Sequence, residues 1–92
     1  MAIEVRIPTI LRSYTSGAKS VQGSGSTLDE LLVNLDAEHG GLRDRLVDGE
    51  SLRRFVNVYL NDEDVRFLGG LETPVSDGDT VTVLPAVAGG AF

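Results

Sequence analysis

The chain reads as an α+β protein: a mixed sheet of about five strands with one main helix lying across a face. Two observations predict this. Segments of period two and period 3.6 follow one another in the order strand, strand, helix, strand, short strand, strand. Only one stretch carries a full apolar helical stripe, and it falls between the two strand groups, so it crosses from one to the other.

The elements follow in order. Ile3, Val5 and Ile7 alternate with Ala2, Glu4 and Arg6, which predicts a strand over residues 2–8. Pro8 ends it, because proline brings no N–H to a ladder. Residues 11–17 read as a loop, with Ser13, Ser16 and Gly17 as turn formers. Residues 18–22 form a weak second strand, completing a hairpin before Gly23-Ser24-Gly25 breaks it. Leu28, Leu31, Leu32 and Leu35 stand at i, i+3, i+4 and i+7 and predict a helix over about 27–39. Ser26 or Thr27 suits the N-cap, and Thr27 with Glu30 spells a capping box. Asp29 and Glu30 complement the positive end of the helix dipole, and Gly40-Gly41 supplies the stop. A short helical turn is expected at 42–47 and a loop at 48–51. Residues 55–60 read as a strand with Val56, Val58 and Leu60 on one face and Phe55, Asn57 and Tyr59 on the other. Asn61-Asp62-Glu63-Asp64 is a turn, residues 65–67 a short strand, and Gly69-Gly70 a break. Ser76-Asp77-Gly78-Asp79 is a tight turn before the last strand, residues 80–84. This order defines an α+β roll of the β-grasp kind, with the first and last strands paired in parallel at its centre.

The division expected is a domain over residues 1–85 and a flexible C-terminal tail over residues 86–92. The tail, from Ala86 to Phe92, has no charged side chain and narrows to Gly89-Gly90. Without a Cβ, that pair can lie in a channel too tight for other residues. Extended, the five residues up to Gly90 reach roughly 17 Å, enough to place a carboxylate inside another protein's active site. Val87, Ala88 and Gly89 are the candidate channel residues and Gly90 the candidate reacting end.

Composition limits the chemistry. Ninety-two residues, 41% of them hydrophobic, hold one modest core and little room for a deep private active site. A net charge of −6 makes nucleic acid and anionic membranes poor partners and a basic protein surface a better one. With no cysteine, there is neither a disulfide framework nor a thiolate site. The N-terminus lacks the pattern of a secretion signal and no stretch nears the ~20 apolar residues of a membrane span, so a cytoplasmic location is expected. His39 is the only histidine, which rules out a conventional zinc site or serine triad and suits a helix C-terminus. Asp62-Glu63-Asp64 lacks the spacing of a calcium loop and reads as a solvated turn. Gly23-Ser24-Gly25 precedes a helix but has no Walker lysine, so it reads as a plain turn. Phe55, Tyr59 and Leu84 are candidate partner-docking residues near the root of the tail, if the sheet face that carries them is open.

Several stretches resemble the ThiS/MoaD sulfur-carrier family, and within it the CysO-type carriers of cysteine biosynthesis. They are Arg54-Phe55-Val56-Asn57-Val58-Tyr59-Leu60, its continuation Asn61-Asp62-Glu63-Asp64-Val65-Arg66-Phe67, then Gly69-Gly70-Leu71, Asp77-Gly78-Asp79, and residues 81–90. The opening Ile7-Pro8-Thr9-Ile10-Leu11-Arg12 is similar too, so the resemblance spans the chain. It implies a ubiquitin-like fold and a protein cosubstrate that binds no cofactor of its own and is not an enzyme. It implies that the carboxylate of Gly90 is adenylated with ATP by a ubiquitin-activating-like adenylyltransferase and sulfurtransferase. Sulfur then displaces AMP and leaves a C-terminal thiocarboxylate. In CysO-type carriers a PLP-dependent cysteine synthase uses that sulfur, and a zinc JAMM-type peptidase releases the product. The family's mature form ends at the second glycine, here Gly90, whereas this chain continues with Ala91-Phe92. The resemblance therefore implies cleavage between Gly90 and Ala91 before activation, by a JAMM-type peptidase. Two alternatives remain from the same pattern: a small subunit of molybdopterin synthase, or a ubiquitin-like modifier joined to lysines.

Overall fold

A computed structural model of the chain describes residues 2–54 and 56–85. Strand β1 (Ile3–Arg6) and strand β2 (Ser20–Gly23) form an antiparallel hairpin. Helix α1 (Leu28–Glu38) crosses the sheet and is followed by the short helix α2 (Leu42–Leu46). Strands β3 (Val47–Asp48) and β4 (Ser51–Leu52) make a separate small ribbon. Strand β5 (Val56–Leu60), β6 (Glu63–Asp64) and β7 (Thr80–Pro85) complete the main sheet. Its order is β2-β1-β7-β5-β6, with β1 and β7 parallel at the centre and the other pairs antiparallel. This is the β-grasp roll, with the central parallel pair that the element order predicts.

The alternation in the strands decides which face takes the helix. Ile3, Val5, Val56, Val58, Val81 and Val83 point one way and are buried with Leu28, Leu31, Leu32 and Leu35 of α1. Each such side chain contributes roughly 1.5–3 kcal/mol by leaving water, so the helix and sheet hold one another. The helix start is built as a cap: Thr27 Oγ1 accepts from the Glu30 N–H at 3.2 Å, and Glu30 Oε1 accepts from the Ser26 N–H at 3.0 Å. The helix ends at His39, whose N–H donates to the Leu35 carbonyl at 2.8 Å. Asp36 Oδ1 then accepts from the N–H groups of Gly41 and Arg43, which ties the end of α1 to the start of α2.

Three local expectations are corrected. Residues 11–17 are not an open loop: Thr9–Thr15 is a 3₁₀-helix that buries Leu11 and Thr15. Thr15 Oγ1 donates to one of the Arg12 and Ala18 carbonyls within its reach (3.2 and 2.9 Å), so a polar side chain can sit inside. Residues 48–51 are the turn of the β3–β4 ribbon, with Gly49 at φ 66°. Residues 65–67 are a 3₁₀-helix, not a strand, because Asp64 Oδ1 accepts from the Arg66 N–H and caps that turn. The strand partner of β5 is instead Glu63–Asp64.

Candidate functional site

The strand register defines the two ends of the sheet. Pro85, the last described residue, pairs with Val56 at the start of β5. Because β1 runs parallel to β7, its final residue Arg6 lies opposite Thr82 and next to Ser20 of β2. Pro85 therefore stands at the end of the middle strand, flanked by β1 on one side and β5 on the other. Val81 and Val83 are fully or almost fully buried, so the strand that launches the tail is anchored in the core up to its last turn.

The face away from α1 holds the outward residues of the same strands. Tyr59 pairs with Thr82 and Asn57 with Leu84, which sets Tyr59 and Leu84 diagonally across β5 and β7. Leu84 is 45% exposed and Tyr59 half-buried. Phe55, the third proposed docking residue, lies outside the described residues, as do Val87, Ala88, Gly89, Gly90 and Ala91. Beside Leu84 and Pro85 an open depression is lined by Arg6, Pro8, Ile10, Arg12 and Lys19 among others. On the β5 side Arg66 reaches over the sheet: its Nη1 donates to Asn57 Oδ1 at 2.8 Å, and its Nη2 to the carbonyls of Arg53 (2.8 Å) and Val56 (2.6 Å). Next in the chain, Phe67 is 87% exposed, a large apolar ring in solvent. The alternating pattern places Phe67 in a strand and so hides it; the cap at Asp64 is the signal that turns it outward.

The other singled-out residues have structural duties. A Cβ on Gly25 would stand 2.6 Å from the Leu31 backbone nitrogen, so this glycine lets the chain press against the first turn of α1. Ser24 N–H donates to Asn34 Oδ1 at 2.9 Å, a further tie to the helix. Asp62 lies in a turn with φ 75°, and Asp64 serves as the cap already described. Among the described residues no group of three or more His, Cys, Asp or Glu side chains is placed to hold a metal. No described helix is long and apolar enough to cross a membrane.

This geometry defines a class: a small β-grasp protein whose last described strand, β7, lies at the centre of the sheet. The chain belongs to the ThiS family, whose model matches residues 5–90. It is 57% identical over 93 residues to the sulfur carrier protein CysO of Mycobacterium tuberculosis, across 98% of this chain and 100% of that one. A chain in the crystal structure of the Amycolatopsis orientalis BexX/CysO complex is 58% identical and superposes with a TM-score of 0.92, covering 97% of this chain and 100% of that one. Small archaeal modifier protein 3 of Haloferax volcanii is 37% identical, across 98% of this chain and 100% of that one. The chain is thus a sulfur carrier homologue, from a family of carriers that are not themselves catalysts.

Proposed function

We propose that the protein carries sulfur as a thiocarboxylate on Gly90 and donates it to the synthesis of cysteine or a related thio-metabolite. The observation that carries the proposal is the family match, which runs to residue 90 and stops short of Ala91-Phe92. On this reading residues 1–85 are the recognition body and residues 86–90 the arm. Whatever follows Gly90 must first be removed, because an internal glycine has an amide carbonyl and no carboxylate to activate. A zinc JAMM-type peptidase is the proposed enzyme for the Gly90–Ala91 bond.

The chemistry then follows in balanced steps. A ubiquitin-activating-like partner joins the freed Gly90 carboxylate to the α-phosphate of ATP and releases pyrophosphate. A carboxylate is a poor electrophile, and the acyl adenylate is a good one. Hydrosulfide attacks the acyl carbon, AMP leaves with the bridging oxygen, and the thiocarboxylate remains. That group is ionised at neutral pH, and the ionised sulfur is the nucleophile. A PLP-dependent cysteine synthase is the proposed acceptor of the sulfur. ATP and PLP belong to the partners, and the carrier is their cosubstrate. Val87, Ala88 and Gly89 pass through the partner's channel, while Tyr59, Leu84 and Phe55 meet its surface.

Intact mass spectrometry of the protein from its native host tests the proposal. The expected species lacks Ala91-Phe92 and has one oxygen replaced by sulfur. A Gly89-Gly90 remnant on the lysines of other proteins indicates a modifier instead, the reading favoured by the likeness to the archaeal modifier protein. Permanent copurification with one large subunit indicates a molybdopterin synthase subunit.

A further inference from the structure

We propose that the tail-bearing end of the sheet is an electropositive docking surface whose partner presents an acidic rim around its active-site entrance; this rests on the carrier reading above. The net charge of −6 alone points to a basic partner. The arrangement of the charges points the other way at the end that matters.

Six of the eight Lys and Arg residues gather where the tail leaves. Arg6, Arg12 and Lys19 line the depression that Leu84 and Pro85 also line. Arg53 and Arg66 stand across β7, at the start of β5, where Arg66 Nη2 donates to the carbonyls of Arg53 and Val56. Arg54 is exposed next to them in the chain. The opposite end of the sheet carries Asp62, Asp77 and Asp79 in its two turns and Glu63 at the start of β6, with no basic side chain among the described residues there. The sheet is therefore polarised along its strands, with Pro85, the residue before the tail, at the positive pole.

The positive charges are held but not cancelled. Arg12 Nε donates to the Ile7 carbonyl, Arg53 Nε to the Asp44 carbonyl, and Arg66 to two carbonyls and an amide oxygen, all neutral acceptors. Among the described residues the one ion pair is Arg43–Asp29 at 2.6 Å, which belongs to neither group. Acidic residues lie nearby on both sides. On the β5 side Asp44 accepts from Arg53 through its carbonyl, Glu50 and Glu72 line a second depression with Arg66, and Asp64 is engaged in capping the turn before Arg66. The excess of cations is clearest on the β1 side, where Glu4 is the one acid among the described residues lining the depression that Arg6, Arg12 and Lys19 share. Acids at the far pole are repelled by an acidic partner, which turns the body so that the tail leads. Such fields raise association rates by roughly 10- to 1,000-fold and fade with salt.

The test uses the ubiquitin-activating-like enzyme from the same organism, immobilised, with this chain truncated after Gly90 in solution. Association rates are measured from low to high ionic strength. The paired reversal Lys19→Glu with Arg54→Glu is compared with the far-end reversal Asp77→Lys with Glu63→Lys. None of these four side chains makes a hydrogen bond among the described residues, and unchanged melting confirms that the variants fold. The expected result is a rate that falls with salt. The first pair slows it about tenfold at low salt, and the difference closes at high salt. The far-end pair changes it far less, although it reverses as many charges. A rate that rises with salt, a larger effect from the far-end pair, or no saturable binding at low salt overturns the proposal. Adenylate on Gly90, read by mass in the same samples, reports separately on the carrier reading.

Discussion

Gly25 shows how a single residue links sequence to packing. Its φ is not positive, so conformational freedom is not what the position needs. What it needs is room, because a Cβ would meet the Leu31 nitrogen at 2.6 Å and the Glu30 carbonyl carbon at 2.9 Å. Both are backbone atoms inside α1 and cannot step aside without moving the helix. Gly23 differs: its added Cβ would meet the ends of Leu35 and Leu31 side chains at 2.8 and 2.9 Å, which can rotate. Gly25→Ala is therefore expected to lower stability by about 1–3 kcal/mol, and Gly23→Ala by less. Urea unfolding of the two variants checks the order. If Gly23→Ala were the more damaging, the close approach at Gly25 would not govern how the hairpin meets the helix.

At the scale of elements, the β5–β6 hairpin turns on Asn61 and Asp62, with φ of 49° and 75°. Two successive left-handed residues match the twist of a two-residue hairpin, and glycine suits the second position best. Asn61 has a reason to stay. Its Oδ1 accepts from the Thr80 N–H at 2.9 Å and its Nδ2 donates to Asp79 Oδ1 at 3.1 Å, which joins the hairpin turn to the turn before β7. Asp62→Gly should raise stability by roughly 0.5 kcal/mol, the relief of the left-handed strain being partly offset by the freer unfolded chain. An upward shift of the urea midpoint at constant slope is the expected reading. The same hairpin marks the limit of what the sequence discloses. Leu28, Leu31, Leu32 and Leu35, the strand alternations and the turn at Asp62 are local signals, and their order predicts the parallel first and last strands found at the centre of the sheet. The burial of Val65 and Leu11 in 3₁₀ turns is not a local property. The 3₁₀ turns themselves are held by short-range bonds, Asp64 Oδ1 accepting from the Arg66 N–H and Thr15 Oγ1 reaching the Arg12 and Ala18 carbonyls, which hydrophobic periodicity does not report. The candidate site divides in the same way. Gly90 and the tail were legible as a motif, and Tyr59 and Leu84 as outward positions. Arg6, Arg12 and Lys19 stand apart from the tail in sequence and meet its root only through the parallel β1–β7 pairing.

For the molecule as a whole, the proposed carrier reaction should be separable from the fold. The core is complete by Val83, and Pro85 closes the ladder with Val56. Changes beyond residue 85 should then leave stability almost untouched while deciding whether chemistry occurs. Removing Ala91-Phe92 exposes the Gly90 carboxylate, so the truncated chain should be adenylated by the activating enzyme without any peptidase. The full-length chain should stay inert until it is cut. Gly90→Ala in the truncated chain should melt with the parent but lose at least tenfold in thiocarboxylate formation, since on the proposed reading an added methyl group at residue 90 would meet the wall of the partner's channel. Melting curves and intact masses of the three proteins, incubated with the enzyme, ATP and a sulfur source, separate the outcomes. Equal adenylation of the full-length and truncated chains would refute the idea that the residues after Gly90 act as a chemical lock. Normal thiolation of Gly90→Ala would show that the channel does not require a glycine there.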